Sequence, residues 1–205
     1  MPQIPTNQSR ECRQDVDIYA DIDFCRGKAS KPGIKPFILA IRKSHITSFP
    51  KPGGSAASSM DEFAIITESF TLESGSGFHR TELVPKLNSI GGESQGEWPA
   101  KSFQNTCVAT MGGSGKEATG YASSLNNDDM IFLVPTKDHG FRLIGNADDH
   151  VDVAVSQQSG QAPGDQNQTQ LTLTVTDDFL PPFYYGNIKL IDGTTISGET
   201  GEVIS

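Results

Sequence analysis

Three stretches of the chain hold residue types that do chemistry when their spacing is right. The first is MGGSGKEAT, residues 111–119. A phosphate loop of the Walker type reads G-x-x-x-x-G-K-[ST], with backbone N–H groups around the phosphates, a lysine on the terminal ones and a hydroxyl on magnesium. Gly115-Lys116 supplies the GK pair, but Thr110 stands where the first glycine belongs and Glu117 replaces the hydroxyl. A carboxylate there repels phosphate. The same letters fit a capping box, in which Ser114 accepts from the backbone three residues on and Glu117 reaches back. Ala118, Tyr121, Ala122 and Leu125 then recur at helical spacing, and Asn126-Asn127 is a stop. The spacing predicts a capped surface helix over about 115–127.

The second stretch is DDHVD, residues 148–152, where aspartates flank His150. Two carboxylates and an imidazole can dress a metal, but a solvated strand entrance accounts for them more simply. His45, His79, His139 and His150 are scattered, with no i, i+4 pair and no H-E-x-x-H. The third, NNDD at 126–129 with GDQNQ at 164–168, lacks the order and the distal glutamate of a calcium loop. Cys12, Cys25 and Cys107 are odd in number and without C-x-x-C spacing, so neither zinc nor a disulfide framework is expected. These readings predict no catalytic residue, no cofactor and no metal.

The elements around these stretches read as strands. FILAIRK is a buried strand, and FAIITESFTLES an apolar run that turns to alternation, with Phe70 and Leu72 on one face. AKSFQNTCVATM is a third strand. MIFLVPTKDHGFRLIGNA is a hairpin turning at residues 137–140. In HVDVAVSQ the residues Val151, Val153 and Val155 fall inward, and in TQLTLTVTDDF so do Leu171, Leu173 and Val175. PPFYYGNIKLIDGTTI closes with a short hairpin at Asp192-Gly193. About eight to ten strands, one helix and no βαβ alternation predict an all-β antiparallel sandwich or barrel with one flanking α-helix. Residues 1–33 form an extended arm in this reading, and 34–205 a single domain with a long exposed loop at 50–61. The sequence carries 16 basic and 25 acidic side chains, a formal charge of −9, and no basic cluster beyond Arg42-Lys43. Tight binding to DNA or to an anionic membrane is therefore not expected. Its apolar runs, Phe37 to Ile41 among them, are far short of the roughly 18 residues of a membrane span. The N-terminus has neither the basic flank nor the apolar core of a secretory signal, which predicts synthesis in a reducing cytoplasm.

The order of elements in the second half resembles the tail tube (major tail) proteins of tailed bacteriophages, of the type found in phages and prophages of Bacteroidetes. The residues that carry the likeness are Leu143-Ile144-Gly145-Asn146, Gly164-Asp165-x-Asn167 and Pro182-Phe183-Tyr184, together with GIKPFILAIRKSHI at 33–46. The resemblance spans about residues 33–190. It implies a structural virion protein whose subunits stack as rings, hexameric in related tubes, around a channel through which DNA passes transiently and without sequence preference. Its partners would be further copies of itself and other phage tail proteins, its place the virion tail after assembly in the host cytoplasm, with no membrane. In that setting Val16, Ile18, Ile22 and Phe24 of the arm and Pro50 and Pro52 of the loop are the candidate inter-subunit residues. The alternative is a ligand- or glycan-binding β-sandwich with Trp98, Phe183, Tyr184 and Tyr185 as an aromatic platform.

Overall fold

MIFLVP has no polar side chain in six residues, which an antiparallel strand tolerates only where both of its faces are covered. The computed structural model, which describes residues 21–22, 31–53, 59–138, 140–162 and 164–204, puts it there. In chain order the strands are β1 (Phe37–Arg42), β2 (Ile46–Ser48), β3 (Ile65–Ile66), β4 (Thr71–Leu72), β5 (His79–Glu82), β6 (Ser89–Gln95) and β7 (Ser102–Gly112). The helix α1 (Lys116–Leu125) follows, then β8 (Met130–Pro135), β9 (Phe141–Ile144), β10 (Asp152–Gln158) and β11 (Gln168–Asp177). The short strands β12 (Phe183–Tyr184), β13 (Asn187–Lys189) and β14 (Thr195–Ser197) complete the order. The fold is all-β with one flanking helix.

A six-stranded sheet, β3-β12-β9-β8-β1-β5, forms the middle layer, with β8 among its central strands. One face packs on a four-stranded sheet, β10-β11-β7-β6. Ile38, Ala40, Phe132, Val134 and Ile144 meet Cys107, Ala109, Val153, Leu171, Leu173 and Val175 there, and Ala122 and Leu125 of α1 join the same core. The opposite face carries Leu39, Ile41, Ile131, Leu133 and Leu143. It is covered by Phe70, Phe78, Ile188 and Ile196, from the segments around the small β2–β4 and β13–β14 pairs. Each of these side chains contributes about 1.5–3 kcal/mol when fully buried. The two-sided burial explains the unbroken apolar sequence of β8, while β11 alternates because only one of its faces meets a core.

Three expectations need correction. FAIITESFTLES is not one strand: β3 pairs in parallel with β12, whereas β4 pairs with β2. Between them the Phe70 N–H donates to the Tyr184 hydroxyl at 3.0 Å, so a side chain takes the place of a ladder partner. Val155 remains 36% exposed although Val151 and Val153 are buried, because β10 is an edge strand with a neighbour on one side only. The helix is present, but no capping box forms. Its N-cap is Gly115, in extended conformation and without a side-chain cap. That shifts the frame by one residue, so Ser114 lies outside the cap and Glu117 falls in the first turn. Glu117 still faces the positive end of the helix dipole, and the Ser114 carbonyl accepts from the Thr119 hydroxyl at 3.3 Å.

Candidate functional site

The outward face of the four-stranded sheet is set by register. Asp152, Thr174, Thr106 and Gly91 form one row across β10, β11, β7 and β6. Ala154, Thr172, Val108 and Ser89 form the next, and Thr176, Gln104 and Glu93 a third. Hydroxyls, amides and small side chains dominate these rows. No lysine or arginine stands in them, and the two charges, Asp152 and Glu93, are both acidic. Such a face offers a nucleic-acid backbone no cation to pair with a phosphate.

The edges of this sheet are equally plain. β6 and β10 are seven residues each, and among the described residues neither has a strand on its outer side. Edge strands are ordinarily blunted by lysine, proline, bulges or shortness. SIGGESQ and DVAVSQQ contain neither proline nor lysine, and their pairing with β7 and β11 runs without a shift in register. Among the described residues no strand occupies either edge, and each can pair with another strand.

A cavity of 170 Å³ opens near one end of this sheet. Phe49, Ile66, Leu143, Phe179 and Pro182 make it apolar, and Asp148, Asp149, Asp177 and Asp178 stand around it with Lys51. The residues after β9 shape one wall. Gly145 adopts φ +118°, a conformation open to glycine, and a Cβ there would lie 2.6 Å from the Ile131 Cδ1. Asn146 then folds the chain back, its Oδ1 accepting from the N–H groups of Asp148 at 3.0 Å and Asp149 at 2.6 Å. Its Nδ2 donates to the Thr176 carbonyl at 2.9 Å, which ties this turn to the end of β11. Burial pushes the Asp177 carboxyl above the ordinary carboxylate range, although it accepts from the Asp178 N–H at 2.7 Å.

The residues behind the family likeness are those that build these supports. Leu143 and Ile144 are core residues on opposite faces of β9. Asp165 Oδ2 accepts from the N–H groups of Gln161 at 2.7 Å and Ala162 at 2.8 Å, closing the turn between β10 and β11. Tyr184 is fully buried and stacks on Phe70 with ring centroids 5.0 Å apart. Phe183 points to the other face of β12, under the Arg142 guanidinium at 4.0 Å from the ring centroid. The aromatic platform is therefore not assembled, because Tyr184 exposes nothing and Trp98 belongs to the separate β6–β7 hairpin, where it is 85% exposed.

The other residues named from the sequence take structural places. His150 Nδ1 lies 3.1 Å from Asp129 Oδ1, and Arg42 Nε 2.7 Å from Asp128 Oδ2, so the NNDD exit of the helix is pinned to the end of β1 and the start of β10. Among the described residues no group of three or more His, Cys, Asp or Glu is arranged around a common metal position. Burial pushes the Cys107 thiol up to about 12, which keeps it protonated in the core. Among those residues, too, no helix is long and apolar enough to cross a membrane. Pro50 is buried and Pro52 half-buried, and both line the cavity. Of the arm residues, Ile22 is exposed, whereas Val16, Ile18 and Phe24 lie outside the described residues, as do 54–58 of the loop and His139. The two edges were missed by sequence reasoning, and Trp98 was named there only as part of an aromatic platform, not as a lone exposed ring on a hairpin. The alternation of threonine and glutamine in TQLTLTVT marks the cation-free face, but strand order alone reveals an edge.

No protein-family model matches the chain, and no curated protein or solved structure shows significant similarity to it.

Proposed function

We propose that the chain is a non-enzymatic structural subunit of a phage tail tube, closing into rings that stack around a passage for DNA. The observation that carries this reading is the sheet β10-β11-β7-β6, which combines two edges open among the described residues with outward rows free of cations. Pairing β6 of one copy with β10 of the next continues the sheet from subunit to subunit. A head-to-tail contact of this kind generates a ring when its rotation closes. The outward rows then line the passage, where hydroxyls, amides and two carboxylates leave phosphates unbound and the polymer free to slide. The exposed Ile22 supports a role for the arm in joining one ring to the next, with Val16, Ile18 and Phe24 as its other apolar groups. In this reading the mature location is the virion tail, and the partners are further copies and the adjoining tail proteins.

The purified full-length chain tests the proposal. Sedimentation velocity and negative-stain microscopy over a rising concentration series should show rings and then stacked tubes. A chain that remains monomeric at the highest concentrations refutes it. Proline substitution at Val155, in the middle of the β10 edge with its N–H turned away from β11, should abolish assembly and leave the thermal transition of the monomer largely in place.

A further inference from the structure

The chain contains one tryptophan, and it stands in water. Trp98 lies in the turn joining β6 to β7, closed by the Ala100 N–H donating to the Glu97 carbonyl at 2.8 Å, and it is 85% exposed. A large ring held out on a hairpin contributes nothing to the core of its own subunit. Tryptophan is also among the residue types most concentrated at the desolvated centre of protein interfaces. Glu97 and Lys101 flank it, so the tip carries one charge of each sign beside an apolar anchor.

The cavity at the end of β11 has the complementary character. Its apolar floor is ringed by four aspartates and one lysine, and it encloses 170 Å³ open to the surface. Tip and cavity lie at the same end of the four-stranded sheet. Asp177 pairs with Phe103, close to where β7 leaves the tip, and Gln95 Nε2 donates to the Thr176 hydroxyl at 3.1 Å. They lie toward opposite edges, however: the tip on the β6 side, the cavity beside the Gly145–Asp149 turn that leads into β10. In an antiparallel sheet continued from β6 of one copy to β10 of the next, the tip of the first falls beside the cavity of the second.

We propose that Trp98 of one copy inserts into the cavity walled by Phe49, Ile66, Leu143 and Phe179 of the adjacent copy in the same ring, with Lys101 set against Asp148 and Asp177 and Glu97 against Lys51. The inference rests on the ring reading above and names the contact that locks it. Edge pairing alone is permissive, since backbone groups pair with any extended chain. A seated aromatic anchor with matched charges fixes which strand pairs and in what register.

Because Trp98 is the only tryptophan, its fluorescence in the full-length protein reports on this contact alone. Emission and acrylamide quenching are measured in dissociated subunits and in assembled rings. Trp98→Ala and Lys101→Glu variants are followed by sedimentation, with monomer melting as the folding control. The expected result is a blue shift and strong protection from quenching on assembly. Trp98→Ala should raise the concentration needed for rings about tenfold or more, the scale of one buried anchor, and Lys101→Glu should move it in the same direction. Rings whose tryptophan quenches as freely as in the monomer overturn the inference and leave the ring reading intact. So does a Trp98→Ala chain that assembles at the wild-type concentration. A wild-type chain that never assembles removes the ring reading and this contact with it.

Discussion

Replacing Tyr184 with phenylalanine probes the joint between the middle sheet and its outer cover. The ring fills the same volume, so its 5.0 Å stack on Phe70 is retained and only the hydroxyl is lost. That hydroxyl accepts from the Phe70 N–H at 3.0 Å and donates to the Asn187 carbonyl at 3.1 Å. Burial pushes its pKa up to about 12, so it remains a neutral donor and acceptor throughout the working pH range. Phe70 is buried, and its N–H is left without a partner at a cost of about 1–3 kcal/mol. Asn187 is exposed and its carbonyl regains water, which limits that side to about 0.5–1.5 kcal/mol. A loss near 3 kcal/mol is expected, which lowers Tm by about 6–12 °C for a domain of this size. Urea unfolding at concentrations below any assembly measures it free of mass-action effects. A loss under about 0.5 kcal/mol would show that the hydroxyl is solvated and that the cover is not docked as described.

Three further substitutions test other parts of the account. Gly92→Ala places a Cβ 2.4 Å from the buried Asn105 Oδ1 and 2.9 Å from Leu180 Cδ2, so a destabilisation of about 1–3 kcal/mol is expected, whereas the neighbouring Gly91→Ala enters open space and should be close to neutral in a paired urea titration. Ser114→Ala should change stability by less than about 0.5 kcal/mol, because Gly115 and not Ser114 is the N-cap; a loss near 1 kcal/mol would reinstate the capping box. Burial raises the Asp177 pKa in the folded state, so the stability this group contributes is present at pH below its unfolded pKa and is lost as pH rises through the folded one. Asp177→Asn should therefore melt higher than wild type at pH 7 and merge with it in acid, as followed by thermal scans from pH 3 to pH 7; an unchanged difference across that range contradicts the assignment.

Sequence alone determined the elements whose partners lie close along the chain. The β8–β9 hairpin, the alternation of Leu171, Leu173 and Val175, the helix at residues 116–125 and the closing β13–β14 hairpin all follow from local periodicity and turn chemistry. Periodicity reports which way a side chain points, and no further. It cannot report how many layers cover a strand, and so MIFLVP was legible as buried but not as central to a sheet with a core on each face. Tertiary pairing decided that FAIITESFTLES divides between two sheets, because a tyrosine from residue 184 supplied the hydrogen bond that a continuous ladder would have made. It also decided that Val155 lies at an open edge and that Gly145, Asn146 and Thr176 meet around one cavity. The candidate site was the least legible part for the same reason. An edge exists only as the lack of a neighbour, and a cavity only as the convergence of segments more than a hundred residues apart. Neither leaves a period in the sequence.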